Sequence, residues 1–223
     1  MTVRRRPKGP VDWDALADVR LDGLSAAGEA DLRAGDYHDG LLFEDVAFGD
    51  VAADEASFLD SRLAGCTFGD ARLRRARLSA SLLEDVGAAA LDVVDSTWSD
   101  VVLRRSRIGA LVAHGAVLER VTVDRGRLDY VNLRRARLTQ VQFLDCRVGE
   151  LDLGTAELSE LRFVACEIGK LLLTGATLSD VDLRGAELTA IEGVGALAGA
   201  RISETQLALL GPALAEHLGI RVG

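Results

Sequence analysis

The chain has 223 residues, a formal net charge of −9 and a sequence pI of about 4.9. An acidic surface repels phosphate, so direct binding to nucleic acid is disfavoured. No stretch approaches the roughly 18 consecutive apolar residues of a membrane helix, and the N-terminus lacks the apolar segment of a signal peptide. We therefore expect a cytoplasmic protein without membrane contact. The three cysteines are an odd number, which argues against a disulfide framework.

Residues 1–40 are predicted to form an N-terminal tail followed by an irregular cap or degenerate first coil. Short units around Leu21 and Leu32 look like the repeats that follow, but they are out of phase with them. We expect Trp13 to cover the end of the core, because a solenoid exposes apolar surface at both ends. The first ten residues are predicted to be a solvated tail. This tail contains a basic cluster: Arg4, Arg5, Arg6 and Lys8.

From Phe43 to Leu188 a large apolar residue recurs at every fifth position without a change of phase. Of thirty such positions, twenty-seven hold Leu, Phe, Ile, Val or Trp, and the exceptions are Ala53, Ala88 and Ala113. A period of five fits neither an α-helix nor a flat strand. The pattern therefore indicates a repeat architecture with these central residues directed inward.

A second inward column lies two residues before the central one. At every fourth unit it is small, as at Ala116 and Ala136, and one unit earlier it is mostly bulky, as at Leu111 and Val131. The chain thus repeats every twenty residues, which predicts four pentapeptides per coil, about seven and a half coils, and stacking at about 4.8 Å. Glycine recurs one position after the central residue in one column, which favours a backbone with positive φ there. The members of this column are Gly49, Gly69, Gly109, Gly149 and Gly169.

These units, of which Ala136–Gln140 is typical, resemble the A-(D/N)-L-x-x consensus of the pentapeptide-repeat family. The resemblance covers about two thirds of the chain. It implies an all-β solenoid over residues 41–202, a right-handed quadrilateral β-helix with four pentapeptides per 20-residue coil. One departure is that the position before the central residue is often Arg, Thr or Val here, where the consensus has Asp or Asn.

Residues 203–223 are predicted to form a short C-terminal helix that caps the rod. Ser203 and Gln206 match a capping box, and Gly219 is expected to end the helix. An apolar stripe at spacings of three and four lies between them: Leu207, Leu210, Leu214 and Leu218. This ending resembles those of Qnr-type quinolone-resistance proteins and mycobacterial DNA-mimic members of the family, whose terminal helices pair two rods end to end. The resemblance implies a homodimer through these leucines, and a monomeric cap is the alternative.

No catalytic, cofactor or metal site is predicted. Cys66, Cys146 and Cys166 share the second inward column and are expected to be small core residues, because zinc needs about four convergent ligands. No nucleophile with an adjacent base is readable, so neither an enzyme nor a small-molecule substrate is expected. The three histidines are far apart in sequence and are expected at the surface or in a cap: His38, His114 and His217.

Charged residues fall in bands. Residues 41–70 hold seven acids and one base, residues 101–140 hold nine Arg and three acids, and residues 141–190 hold nine acids and four bases. One interpretation is that acidic zones at the rod ends imitate DNA phosphate. The other is that residues twenty apart pair between coils. This second interpretation predicts the pairs Asp54–Arg74, Glu55–Arg75, Glu84–Arg104, Asp85–Arg105, Arg125–Asp145 and Arg137–Glu157.

Two functions remain open. The family resemblance implies a protein that imitates double-stranded DNA, occupies the DNA site of a type II topoisomerase such as gyrase, and modulates or protects it. An end-to-end dimer places one group of acids at the centre of the long rod, and these are the expected contacts: Glu157, Glu160, Asp180 and Asp182. The belt of arginines from Arg104 to Arg137 argues against mimicry. The alternative is a structural or adaptor solenoid with another protein partner.

Overall fold

The computed structural model describes residues 11–19 and 21–221, so the basic cluster Arg4–Lys8 lies outside the described residues. The described chain consists almost entirely of short parallel strands and ends in one α-helix, α1 (Glu204–His217). The strands are β1 (Ser25–Ala27), β2 (Tyr37–Asp39), β3 (Leu41–Glu44), β4 (Ala47–Ala52), β5 (Ser57–Leu59), β6 (Arg62–Ala64), β7 (Thr67–Arg72), β8 (Arg77–Glu84), β9 (Gly87–Asp92), β10 (Thr97–Arg104), β11 (Arg107–Val112), β12 (Val117–Asp124), β13 (Arg127–Asn132), β14 (Arg137–Leu144), β15 (Arg147–Asp152), β16 (Glu157–Val164), β17 (Cys166–Leu172), β18 (Thr177–Asp182), β19 (Ala186–Glu192) and β20 (Ala200–Arg201).

The strands form two parallel sheets that enclose one core. One sheet runs from β1 to β20 and contains the eight-residue strands, and the other runs from β4 to β19. Leu138 aligns with Leu118 on the coil before it and with Leu158 on the coil after it. Each coil therefore takes twenty residues, and the predicted parallel β-solenoid with a short C-terminal helix is confirmed.

The inward columns form stacked ladders. Leu138 is fully buried, and Ala136 lies beside it with 1% exposure. The rings of Phe143 and Phe163 stack at 5.2 Å between centroids. The three cysteines are free and buried in the core, as predicted from their column: Cys66, Cys146 and Cys166. The core is thus a continuous apolar column along the rod.

The corners of the coils do not follow the glycine prediction. Of the five glycines in the predicted column only Gly49 has positive φ, at 58°. The positive φ values fall one position later, and among the described residues eighteen are not glycine. Gly109 and Gly149 are required for a steric reason, because a Cβ on them would lie 2.6 Å and 2.4 Å from carbonyl oxygens of the preceding coil. The expectation of positive φ was wrong there, and close backbone approach is the reason for glycine.

The solenoid extends beyond the phased repeats at both ends and has about nine turns. At the start, β1 pairs with β3, and His38 in β2 aligns with Phe58 in β5. His38 therefore fills an inward position at the N-terminal end of the core, with 3% exposure. Of the two places expected for this histidine, the surface and the cap, the structure shows the cap.

Trp13 does not cover the end of the core, so that prediction was wrong. Its carbonyl oxygen accepts a hydrogen bond of 2.9 Å from Gln142, and its ring lies 4.6 Å from the guanidinium carbon of Arg162. A 3₁₀ turn at Ala15–Ala17 follows and packs against β10 and β12. The N-terminal segment thus lies along the side of the rod, because a polar ladder there binds its backbone.

Helix α1 closes the C-terminal end of the rod. The predicted capping box forms, since Ser203 and Gln206 each accept a hydrogen bond from the other's main-chain nitrogen, at 3.1 and 2.9 Å. The Gln206 amide also donates to the carbonyls of Leu183 and Ala186, at 2.7 and 2.8 Å. Gly219 has φ of 70° and ends the helix as predicted. The helix therefore satisfies backbone acceptors that the last coil would otherwise expose.

Candidate protein-binding surfaces

The four acids predicted to contact a topoisomerase lie close together, on the neighbouring strands β16 and β18. We call them the junction cluster: Glu157, Glu160, Asp180 and Asp182. Strand β16 places Arg162 directly opposite Asp182 on β18. The cluster thus spans one corner of two successive coils near the C-terminal end.

Three members of the junction cluster are paired with arginines of the same chain. Glu157 accepts from Arg137 at 2.9 Å, Asp180 from Arg201 at 2.8 Å, and Asp182 from Arg184 at 2.6 Å. The hydrogen bond from Arg137 lowers the pKa of Glu157, and the bond from Arg184 does the same for Asp182. The pairing thus favours the charged form of Glu157 and Asp182, but the adjacent cations partly cancel the field of all three paired acids.

The predicted pairing between coils is largely correct. Glu55–Arg75, Glu84–Arg104, Asp85–Arg105 and Arg137–Glu157 all form. Two predicted pairs do not form, Asp54–Arg74 and Arg125–Asp145. Arg74 pairs instead with Asp92 at 2.7 Å, and Arg125 with Asp124 at 2.9 Å. The long arginine side chain can reach diagonal or adjacent carboxylates, so a spacing of twenty does not decide its partner.

A second group of acids lies at three of the four corners of the N-terminal coils, and its residues were not singled out from the sequence. Its members are exposed, and no arginine or lysine of the described residues forms an ion pair with them. We call this group the N-terminal acidic cluster: Glu44, Asp45, Asp50 and Asp60. The excess of acids over bases in residues 41–70 was the available signal. The negative charge of this cluster is therefore neutralised less than that of the junction cluster.

Most arginines of the mid-rod belt form ion pairs with carboxylates of the same chain. Arg105 makes two hydrogen bonds to Asp85, at 2.9 and 2.8 Å, and Arg120 does the same with Asp100 at 2.6 and 2.7 Å. These bonds lower the pKa of both aspartates. Six of the nine belt arginines thus neutralise neighbouring acids. Arg107, Arg127 and Arg135 are exposed and form no ion pair within the described residues, so they remain as free positive charge.

The C-terminal leucines fall into two groups. Leu210 is 6% exposed and packs against the last coil, so it is not available to a second molecule. Leu207 and Leu218 are 53% and 70% exposed, and Leu214 is half-buried. Leu209 and Ile220, which the helical stripe did not include, are 69% and 57% exposed. The helix therefore presents an apolar surface of different composition from the one predicted.

Neither a metal centre nor a membrane span emerges from the described part of the chain. No three His, Cys, Asp or Glu side chains within residues 11–19 and 21–221 are arranged to hold a metal ion. In the same ranges no helix has the length and apolarity needed to cross a bilayer.

Every outward column follows the register of the core. Arg137 aligns with Glu157, and Arg147 aligns with Glu167, each one coil apart on the outside of the rod. Five residues thus form each side and four sides form each coil from β2 to β19, whereas Ser25 pairs with Leu41 and Val181 with Ala200, at spacings of sixteen and nineteen. The chain is a parallel β-solenoid built from five-residue units.

Comparisons with known proteins give similarity in solved structures only. No protein-family model matches the sequence, and no curated protein matches it. The full-length structure of QnrB1, a plasmid-mediated fluoroquinolone resistance protein, is 15% identical and covers 86% of this chain and 99% of its own, with a TM-score of 0.36. HetL from the cyanobacterium Nostoc sp. strain PCC 7120 is a pentapeptide-repeat protein involved in the regulation of heterocyst differentiation, and its structure is 18% identical in sequence to this chain. It covers 78% of this chain and 93% of its own, with a TM-score of 0.27.

Proposed function

We propose that this parallel β-solenoid is a non-catalytic binding protein that imitates the charge of double-stranded DNA and binds a type II topoisomerase such as gyrase. The observation that carries the proposal is the N-terminal acidic cluster, whose carboxylates are exposed and form no ion pair within the described residues, although Asp50 accepts a hydrogen bond from the Asp70 nitrogen at 2.9 Å. The rod holds these charges at fixed corners, and a groove lined by cations would face those at neighbouring corners, such as Asp45 and Asp50. Bound in this way, the rod modulates or protects the enzyme, as in quinolone resistance.

The junction cluster supplies the second contact of this proposal. Exposed Leu207 and Leu218 support an end-to-end homodimer, since large apolar side chains on a terminal helix favour burial. Such a dimer brings two junction clusters to the centre of a longer rod.

One observation favours a different function, that of a structural or adaptor solenoid. Glu157, Asp180 and Asp182 are neutralised by arginines of the same chain. A carboxylate with an internal partner imitates a phosphate poorly, because part of its field is already cancelled. In the adaptor alternative these ion pairs align the coils, and another protein binds the rod through complementary shape rather than charge.

Gyrase supercoiling in the presence of three variants distinguishes these functions. The first changes the junction cluster to lysine at all four positions, and the second does so for the N-terminal acidic cluster. The control exchanges one ion pair, Arg147→Glu with Glu167→Arg, and so keeps the net charge. We expect the parent and the control to perturb gyrase at micromolar concentration, and each lysine variant to lose the effect with an unchanged circular dichroism spectrum.

The comparison also separates the two acidic clusters. If only the N-terminal variant loses its effect, the contact lies there and the assignment to the junction cluster is wrong. If the parent itself leaves gyrase unaltered, the adaptor function is favoured, and a pull-down from cell lysate is the route to its partner.

A further inference from the structure

A groove on one side of the rod is filled by the chain's own N-terminal segment. Residues 12–17, which we call the clasp, lie across β10, β12, β14 and β16. Beneath them one outward column passes from coil to coil, through Val102, Thr122, Gln142 and Arg162. The first three are completely buried, whereas Arg137 at the same position of another side is exposed. We call this column, together with Arg104, the clasp groove.

The clasp groove recognises main-chain atoms. The Gln142 amide donates to the carbonyl of Trp13 at 2.9 Å, and the Thr122 hydroxyl donates to that of Leu16 at 3.0 Å. The Arg104 guanidinium donates to the carbonyl of Ala17, also at 3.0 Å. Because all three acceptors are backbone oxygens, these contacts fit many sequences.

Side-chain selectivity comes from Arg162. Its guanidinium carbon lies 4.6 Å from the Trp13 ring centroid, in cation–π geometry. It also donates two hydrogen bonds to the Gln142 Oε1 atom, at 3.0 and 2.7 Å, which turns the amide nitrogen towards the clasp. Burial lowers the pKa of Arg162, and Asp14 opposes this effect. The groove thus favours an aromatic residue followed by a carboxylate, as in Trp13-Asp14, whereas Asp12 accepts a hydrogen bond from the Ala15 nitrogen at 3.2 Å within the clasp.

The clasp can leave the groove without breaking the rod. Its own main-chain hydrogen bonds are those of a turn, from the Ala17 nitrogen to Asp14 and from the Asp18 nitrogen to Ala15. Strands β10 to β16 keep all their partners on the neighbouring coils when it departs. Segments with few contacts of their own open locally more often than a packed core does.

We propose that the clasp groove is a peptide-binding site which residues 12–17 occupy in cis. In trans it accepts a segment of a partner protein that carries an aromatic residue followed by a carboxylate and a turn, as Trp13, Asp14 and Ala15–Ala17 do in the clasp. The clasp and the partner segment compete for the groove, so the clasp lowers the apparent affinity of the rod for the partner. This inference is independent of topoisomerase binding, since it uses neither acidic cluster.

A cleavable full-length chain tests the proposal. A site for a sequence-specific protease is inserted between Asp22 and Gly23, so that cutting frees the clasp but leaves every coil in the mixture. The probe is a fluorescein-labelled peptide of residues 11–19. We expect its anisotropy to rise on the cut chain, with at least tenfold weaker binding to the uncut chain, because the tethered clasp competes at high effective concentration.

Matched variants locate the binding. Gln142→Leu should weaken peptide binding to the cut chain at least tenfold, and so should Trp13→Ala within the peptide. Arg137→Leu, on the same strand but facing away from the groove, should leave binding unchanged. Equal peptide binding by the Gln142→Leu chain, or none by a cut chain that keeps its β-sheet circular dichroism, would overturn the proposal.

Hydrogen exchange on the uncut parent is a second measurement, which decides the matter if the cut chain unfolds. The amides of residues 13–18 should exchange at least tenfold faster than those of β12 and β14, because the clasp opens locally. Equal protection of clasp and strands would show that the clasp opens only with the whole rod, which contradicts exchange between occupants.

Discussion

The imidazole of His38 packs on the ring of Phe58 one coil further along the core, with ring centroids 4.8 Å apart. The edge of Phe43 completes this site at 5.6 Å. Burial lowers the pKa of His38, although Asp36 and Asp31 act in the opposite direction. A polar ring thus occupies a position that the repeat otherwise reserves for apolar side chains.

This relationship predicts that the rod loses stability in mild acid. Below the ordinary histidine pKa of about 6.5 the unfolded chain binds a proton that folded His38 resists, so stability falls as pH decreases. His38→Phe should remove this part of the pH dependence between about pH 7.5 and 5.5. Thermal melts across that range provide the measurement, with His114→Asn as the control. An unchanged slope in the phenylalanine variant would contradict the prediction.

The inward ladder should be the main source of stability. Leu138→Arg is expected to prevent folding, because an unpaired charge in a dry core costs several kcal/mol. Arg137→Leu, next to it but on the outside, should leave the melting temperature nearly unchanged, since exposed ion pairs contribute little. Circular dichroism melts of both variants test this. Equal melting temperatures would show that the register is assigned incorrectly.

Replacing an alanine at a corner of the coil by glycine should stabilise the rod. Ala165 has φ of 51°, where an L side chain is strained, so Ala165→Gly should stabilise the rod by about 1 kcal/mol. Ala136 is buried in the core and does not have positive φ, so Ala136→Gly should destabilise it. Denaturant unfolding measures both changes. Two changes of the same sign would contradict the strain argument.

Much of the fold is readable from the sequence, because one apolar residue in every five leaves the chain few ways to bury its side chains. The central position of Leu138 and the small position of Ala136 follow directly from that period. The first coil does not follow from it, since His38 puts a polar residue at an inward position. Nor does the location of Trp13, which depends on Gln142 and Arg162 more than a hundred residues away in sequence. Long-range polar contacts of this kind leave no local pattern.

The candidate surfaces were harder to predict than the fold. The sequence places the acids of the junction cluster correctly on adjacent coils, but it does not reveal that Asp182 pairs with Arg184 and Asp180 with Arg201. Arginine side chains choose among several carboxylates within reach, so pairing depends on the geometry of each corner. Leu210 likewise fits the helical stripe but is buried under the helix.

The exposed C-terminal leucines should form a dimer. Leu207→Asp with Leu218→Asp is expected to yield a folded rod of half the parent's mass by light scattering, because charges there oppose apolar contact. Both side chains are more than half exposed, so the substitutions should not disturb the rod itself. Leu210→Asp is expected to destabilise the chain instead. A parent that already scatters as a monomer would contradict the dimer.

The most direct test of the proposed function is displacement of DNA from gyrase. A fluorescently labelled duplex bound to the enzyme is titrated with the parent protein, and its anisotropy is followed at two salt concentrations. If the rod occupies the DNA site, the anisotropy should fall to that of free duplex at micromolar protein, with weaker displacement at higher salt. An anisotropy that stays high while the rod is shown to bind, or that never changes because no binding occurs, would contradict mimicry of DNA.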